Sequence, residues 1–200
     1  VSLRRSGPVE EWQGILPRVS VRFQWLPNVR FNAGYAFSEV FPYGKLPIAY
    51  ASPEHRIFEQ VQLSQGIGRL NVTHRYRLEQ RWLGRVASVN GVESVQNWVR
   101  TNRMRYRLLG TVPLQGSTTE DGEFYTTLGE ELFMNWGANI QGNVFDQNRL
   151  TLMIGRRFSK SLRVEAGYLE QLSQKPSGRF LERNHTFLLT FYTAASLVHK

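Results

Sequence analysis

The residues able to do chemistry in this chain are mostly guanidinium groups, and they recur at every second position. In the run Arg69–Trp82 the odd positions are Arg69, Asn71, Thr73, Arg75, Arg77, Glu79 and Arg81, all polar. The even positions are Leu70, Val72, His74, Tyr76, Leu78, Gln80 and Trp82. A spacing of two puts every guanidinium of an extended strand on the same face. The same parity aligns a wider polar network: Arg75, Arg77, Glu79, Arg81, Arg103, Arg105, Arg107, Glu131, Arg149, Arg163 and Glu165. Arginine is planar and permanently charged, so confined rows of it pair bidentately with carboxylates or hold anions. The chain has 21 Arg against 4 Lys, and 25 basic against 16 acidic residues leave a net charge of +9. Two roles suit such a face. Arg and Glu can satisfy one another with Gln, Asn and Thr in a filled interior, or an Arg surplus can line an anion passage.

Other chemistries find little support. His74 and His185 each stand alone on an apolar face, no Ser accompanies them in sequence, and no catalytic triad can be named, so an enzyme is not expected. There is no Cys, no HExxH and no Gly-rich phosphate loop, so neither a metal nor a cofactor is expected. The cations follow strand parity and form no basic block or helix, which argues against nucleic acid as a partner.

The elements that must position these residues are strands. Arg18–Leu26 alternates Val19, Val21, Phe23 and Trp25 with Arg18, Ser20, Arg22 and Gln24, and Pro27-Asn28 turns it into a run starting at Val29. Further strands are expected at Arg56–Ile67, Arg69–Trp82, Trp98–Val112, Glu123–Trp136, Asn148–Phe158, Leu162–Ser173 and Asn184–Thr193. Short connections at Pro27-Asn28, Gly66–Gly68 and Ser159–Ser161 alternate with long ones at Phe41–His55, Arg85–Asn97, Gly137–Gln147 and Gln174–Arg183. Once strands run up and down, the four long connections fall on one end and the short ones on the other, where Pro113–Gly122 is a longer exception. VRFNAGY (Val29–Tyr35) and LRVEAGY (Leu162–Tyr168) form a weak repeat, each following a tight turn.

Runs of this length exceed the usual soluble strand of about 5–6 residues and meet the 9–11 that a tilted membrane strand needs. No stretch of about 18 apolar residues is present, so no membrane-spanning helix is expected. Trp25, Trp82, Trp98 and Trp136 fall near strand ends, where an interfacial girdle would put them. The expectation is a single domain over residues 1–200: an all-β, up-and-down antiparallel transmembrane β-barrel of about ten strands, with eight or twelve as the alternatives. Val1–Arg5 reads as the tail of a strand, so an N-terminal strand is expected to be incomplete. Glu59, Glu130 and Glu170 fall on the nominally apolar face, which calls for rim placement or a β-bulge near Glu130-Glu131. A soluble, lipocalin-like ligand-binding barrel is the alternative, with the faces inverted; the scarcity of Lys weighs against it.

Six segments occur in order along the chain: EHRIFEQ (Glu54–Gln60), HRYRLEQRW (His74–Trp82), NRMRYRLLGTVPL (Asn102–Leu114), EELF (Glu130–Phe133), FDQNRL (Phe145–Leu150) and AGYLEQ (Ala166–Gln171). Together they resemble a domain-of-unknown-function family of outer-membrane β-barrel proteins from Gram-negative bacteria, from about Gly14 to Thr193. The resemblance implies an exported barrel in the outer membrane, facing the lipopolysaccharide leaflet, and implies no activity. Members of that family usually carry a further N-terminal strand beginning with Trp, which this chain lacks. The expected role is a structural or accessory subunit of an outer-membrane assembly, with a narrow anion-selective channel as the alternative. Its expected partners are the bilayer and other outer-membrane proteins, met through external loops or the lipid-facing surface. Tyr43, Ile48 and Tyr50 are the candidate partner residues, since apolar groups in a loop need something to touch. Ala194–Lys200 lies beyond the last expected strand and has no assigned role.

Overall fold

A computed structural model describes residues 2–6, 11–42, 48–140, 142–175 and 177–193. Among these residues no helix occurs. The elements are β1 (Ser2–Ser6), β2 (Glu11–Leu16), β3 (Arg18–Leu26), β4 (Val29–Val40), β5 (Ser52–Ile67), β6 (Leu70–Val89), β7 (Val92–Pro113), β8 (Phe124–Trp136), β9 (Phe145–Ser159), β10 (Leu162–Gln174) and β11 (Leu181–Thr193). They form one antiparallel sheet in the order β1-β2-β4-β5-β6-β7-β8-β9-β10-β11, with β3 also on β4.

β2 and β3 are two halves of one strand. Both pair with β4 in a single register, Gly14 opposite Val40 and Arg18 opposite Ala36. Between them the Phe37 amide donates to the Pro17 carbonyl at 3.2 Å. Pro17 has no N–H to return the second bond, so the ladder is interrupted there without losing register. Ten strands therefore account for the eleven segments.

The expected strand positions are recovered to within a few residues, apart from β2 and longer β5, β6 and β7. The expected long connection Arg85–Asn97 is instead a continuous hairpin. β6 and β7 run on to Val89 and Val92, and Asn90-Gly91 closes them with φ of 54° and 79°. Positive φ at both central residues is the type I′ geometry that matches the twist of paired strands, and Asn-Gly adopts it most readily.

The chain divides into two compact units. The first comprises residues 1–61, 77–104 and 135–140, and the second residues 62–76, 105–134 and 141–200. In both, one face of each central strand is buried and the other exposed. In β8 of the second unit Tyr125, Thr127, Glu131 and Phe133 are buried, while Phe124, Leu128, Glu130 and Met134 are exposed. The expected phase shift at Glu130-Glu131 does not occur. Glu130 pairs with Leu150 and Glu131 with Arg149 in an unbroken ladder, and the register shifts only between Phe133 and Met134.

The two copies of the sequence repeat are alike in structure. A Cβ at Gly34 would lie 2.3 Å from the Val19 carbonyl oxygen, and one at Gly167 would lie 2.1 Å from that of Leu152. The tyrosine that follows each glycine meets a histidine of the next strand. Tyr35 Oη is 2.6 Å from His55 Nδ1, and Tyr168 bonds His185 in the same way. The glycine thus admits a closely packed neighbouring strand and the tyrosine ties the following one. Gly167→Ala is expected to cost about 1–3 kcal/mol through overpacking against backbone. Gly66→Ala, which meets nothing within 4 Å, is expected to stay within about 0.5 kcal/mol. Chemical denaturation of both variants checks the pair.

Candidate functional site

The buried face of the first unit carries an ion network built across β5, β6 and β7. Glu79 is fully buried, at 0 % exposure. Arg103 donates to Glu79 Oε2 from Nε at 2.8 Å and Nη2 at 2.6 Å. Arg56 and Arg77 each place an Nη1 3.7 Å from Glu79 Oε1. Glu54 is held bidentately by Arg81, Nε to Oε1 at 2.7 Å and Nη2 to Oε2 at 2.9 Å. Arg56 also donates to Glu54 Oε1 at 2.9 Å, so it bridges the two carboxylates. Gln60 Oε1 accepts two bonds from Arg77, and the Arg77 guanidinium lies 4.4 Å from the centre of the buried Phe58 ring. Every group in this cluster is on the face that strand parity assigns to it.

The second unit has its own centre at Glu131. Its Oε1 accepts from Arg75 Nη2 at 2.5 Å and from Arg105 Nε and Nη2 at 2.9 and 2.7 Å. Arg105 and Arg149 both lie over the Phe133 ring, at 4.3 and 4.7 Å, and Arg149 donates to Gln147 at 2.9 Å. Glu165 belongs to a different arrangement. Its two oxygens accept from the phenols of Tyr125 at 2.8 Å and Tyr192 at 3.1 Å. Arg163 covers the Tyr192 ring at 5.0 Å. Among the described residues the buried Arg107 Nε meets no acceptor.

The polar residues read from parity are thus gathered into three places: Arg77, Glu79, Arg81 and Arg103; Arg75, Arg105, Glu131 and Arg149; and Arg163 with Glu165. Among the described residues Arg107 joins none of them by a hydrogen bond. Glu54 falls inside the expected connection Phe41–His55 and is instead part of β5, as the alternation of EHRIFEQ from Glu54 already allows. Phe58 and Phe133 share the parity of Arg56 and Glu131, but their apolar type gives no sign of a place in a polar network. Each has a guanidinium over its ring, a contact that is worth more in a desolvated setting than on an exposed surface.

The exposed face explains the three misplaced carboxylates. Glu59 accepts from Gln80 at 3.4 Å, Glu130 from Asn148 at 2.9 Å and Glu170 from Arg183 at 3.1 Å. His74 is hydrogen-bonded to Tyr106 at 2.8 Å, the third such histidine–tyrosine pair. His55 also packs 4.8 Å from the Trp98 ring. Of the candidate partner residues, Ile48 is exposed and Tyr50 half-buried, while Tyr43 lies outside the described residues, as does Ala194–Lys200.

A search of curated proteins and a search of solved structures each give no match. The model of one family of unknown function does match, over most of the chain. The protein belongs to that family, described as Protein of unknown function (DUF2490), through residues 1–182.

Proposed function

We propose that this protein is a β-barrel of the Gram-negative outer membrane, with a packed Arg–Glu interior, serving as a structural or accessory subunit of an outer-membrane assembly. The observation that carries this reading is the inverted polarity of its strands. The buried face holds Glu79, Arg103, Arg105 and Glu131, while Leu152, Ile154, Phe187 and Leu189 are exposed. A strand in water does the reverse, whereas one in lipid keeps its polar side chains away from hydrocarbon. A soluble lipocalin-like barrel would need apolar residues where these charges lie.

The extent of the apolar band supports the same reading. On β9 the exposed face is apolar between Asn148 and Arg156, eight residues apart. At about 3.3 Å per residue and a tilt of about 40°, this spans roughly 20 Å, close to the apolar band of about 25 Å on such barrels. Glu130 and Glu170, both opposite Leu150 in register, border its upper end beside Asn148 and Arg183. Charge is tolerated there and is costly at mid-depth. Docking to other outer-membrane proteins would fall to parts beyond the band, such as Ile48 or the exposed Val89, Val92 and Val95 of the β6–β7 hairpin.

A narrow anion-selective channel is the second reading, favoured by the Arg107 side chain with its unmatched Nε. Refolding of the full chain into phospholipid vesicles, followed by protease digestion and planar-bilayer recording, tests both. A protected, heat-shifted band with no current is expected. Steady anion-selective steps, reduced in Arg103→Gln, Arg105→Gln and Arg107→Gln, would establish the channel. A chain that stays in solution and is fully digested would overturn the membrane reading.

A further inference from the structure

The second unit contains a cavity of about 230 Å³ lined by Thr111, Thr119, Tyr125, Arg157, Lys160 and Arg163. Three of its six lining residues are cations and none is a carboxylate. We propose that this cavity binds a small phosphate-type oxyanion, inorganic phosphate or a compact phosphate monoester. The proposal does not depend on the membrane reading, because it rests only on groups within this unit.

The cations differ in how far they are already engaged. Arg157 is paired with Asp121 through Nε at 2.8 Å and donates Nη1 to the Thr119 carbonyl at 2.8 Å. Its position is thereby fixed. Lys160 stands exposed in the turn between β9 and β10, with no carboxylate partner among the described residues. Arg163 has the Tyr192 ring as its contact and likewise no carboxylate. Lys160 and Arg163 are exposed and Arg157 is half-buried, so an anion here is attracted by cations that remain open to charge-assisted hydrogen bonds rather than by relief of a burial cost.

The nearby carboxylates are occupied. Glu165 is capped on both oxygens by phenols, and Asp121 by Arg157. In the adjoining connection Glu120 accepts from the Thr118 hydroxyl at 2.8 Å and Glu123 from the Glu120 amide at 2.9 Å. What remains facing the cavity is a set of donors: an ammonium, a guanidinium and two threonine hydroxyls. A tetrahedral dianion offers acceptors in several directions and matches this set better than a flat carboxylate. The volume lies below the 300–1,000 Å³ or so typical of drug-sized ligands and matches a small ion or ester.

Titration of the refolded full chain with inorganic phosphate, followed by phosphorus NMR line broadening at fixed ionic strength, tests the site. Saturable broadening is expected, unaffected by replacing part of the background salt with more chloride. Arg163→Gln and Lys160→Gln should each weaken it about ten-fold or more, the loss expected for one charge-assisted contact. Lys160 is exposed in a turn, so its variant folds even if Arg163→Gln does not. Arg85→Gln, in the first unit, should leave the response unchanged. Absence of saturation, competition by chloride at equal ionic strength, or an unaltered response in Lys160→Gln would each overturn the proposal.

Discussion

Glu79→Gln is expected to destabilise the protein by about 3–5 kcal/mol, the largest single-residue effect on the buried face. The substitution keeps the shape of the side chain and removes its charge. Arg103 then loses an ionic acceptor for two bonds, and Arg56 and Arg77 lose the carboxylate 3.7 Å away. All three guanidiniums stay where they are, at 4 to 7 % exposure, with one negative charge fewer to offset them. Glu170→Gln provides the comparison. Its partner Arg183 is largely exposed, so the change should cost less than about 1 kcal/mol. Equilibrium unfolding of the two variants in the same vesicles measures the difference. Equal costs would mean that the buried network contributes no more than a surface pair.

Leu152→Arg carries the second large effect and bears on the proposed membrane setting. Leu152 is exposed midway between Asn148 and Arg156. In a bilayer an Arg at that depth costs about 2–4 kcal/mol, against 0–1 near an interface. Asn148→Arg should fall in the lower range. On a soluble protein Leu152→Arg, made at an exposed position, would stay within about 0.5 kcal/mol and would cost no more than Asn148→Arg, made at a half-buried one. Unfolding from phosphatidylcholine vesicles is the measurement. A depth-dependent difference is the expected result, and equal small costs would remove the lipid from contact with β9.

Much of this was legible in the sequence because strand parity is a strict code. Once Arg75, Arg77 and Glu79 are seen two apart, their common face follows without any knowledge of the partners. Partner identity does not follow, since it depends on register. Nothing in the order of residues says that Glu131 takes Arg75 and Arg105 whereas Glu165 takes two tyrosines. Glu11–Leu16 is hard to read as a strand because EWQGIL alternates only over its first residues and Pro17 hides its continuity with β3. The small and polar residues of Arg85–Asn97 suggest a long connection, although Asn90-Gly91 is itself a strong hairpin signal.

The crossed pairs between strands have a consequence for assembly. Arg103 reaches Glu79 across 24 residues of chain, and Arg81 reaches Glu54 across 27. A strand that docks one residue out of step turns its whole set of side chains over. Glu79 would then exchange faces with Leu78, and the guanidiniums opposite would have nothing to meet. Such a slip penalises itself at several positions together, so the same charges that brace the finished sheet also proofread its alignment while it forms.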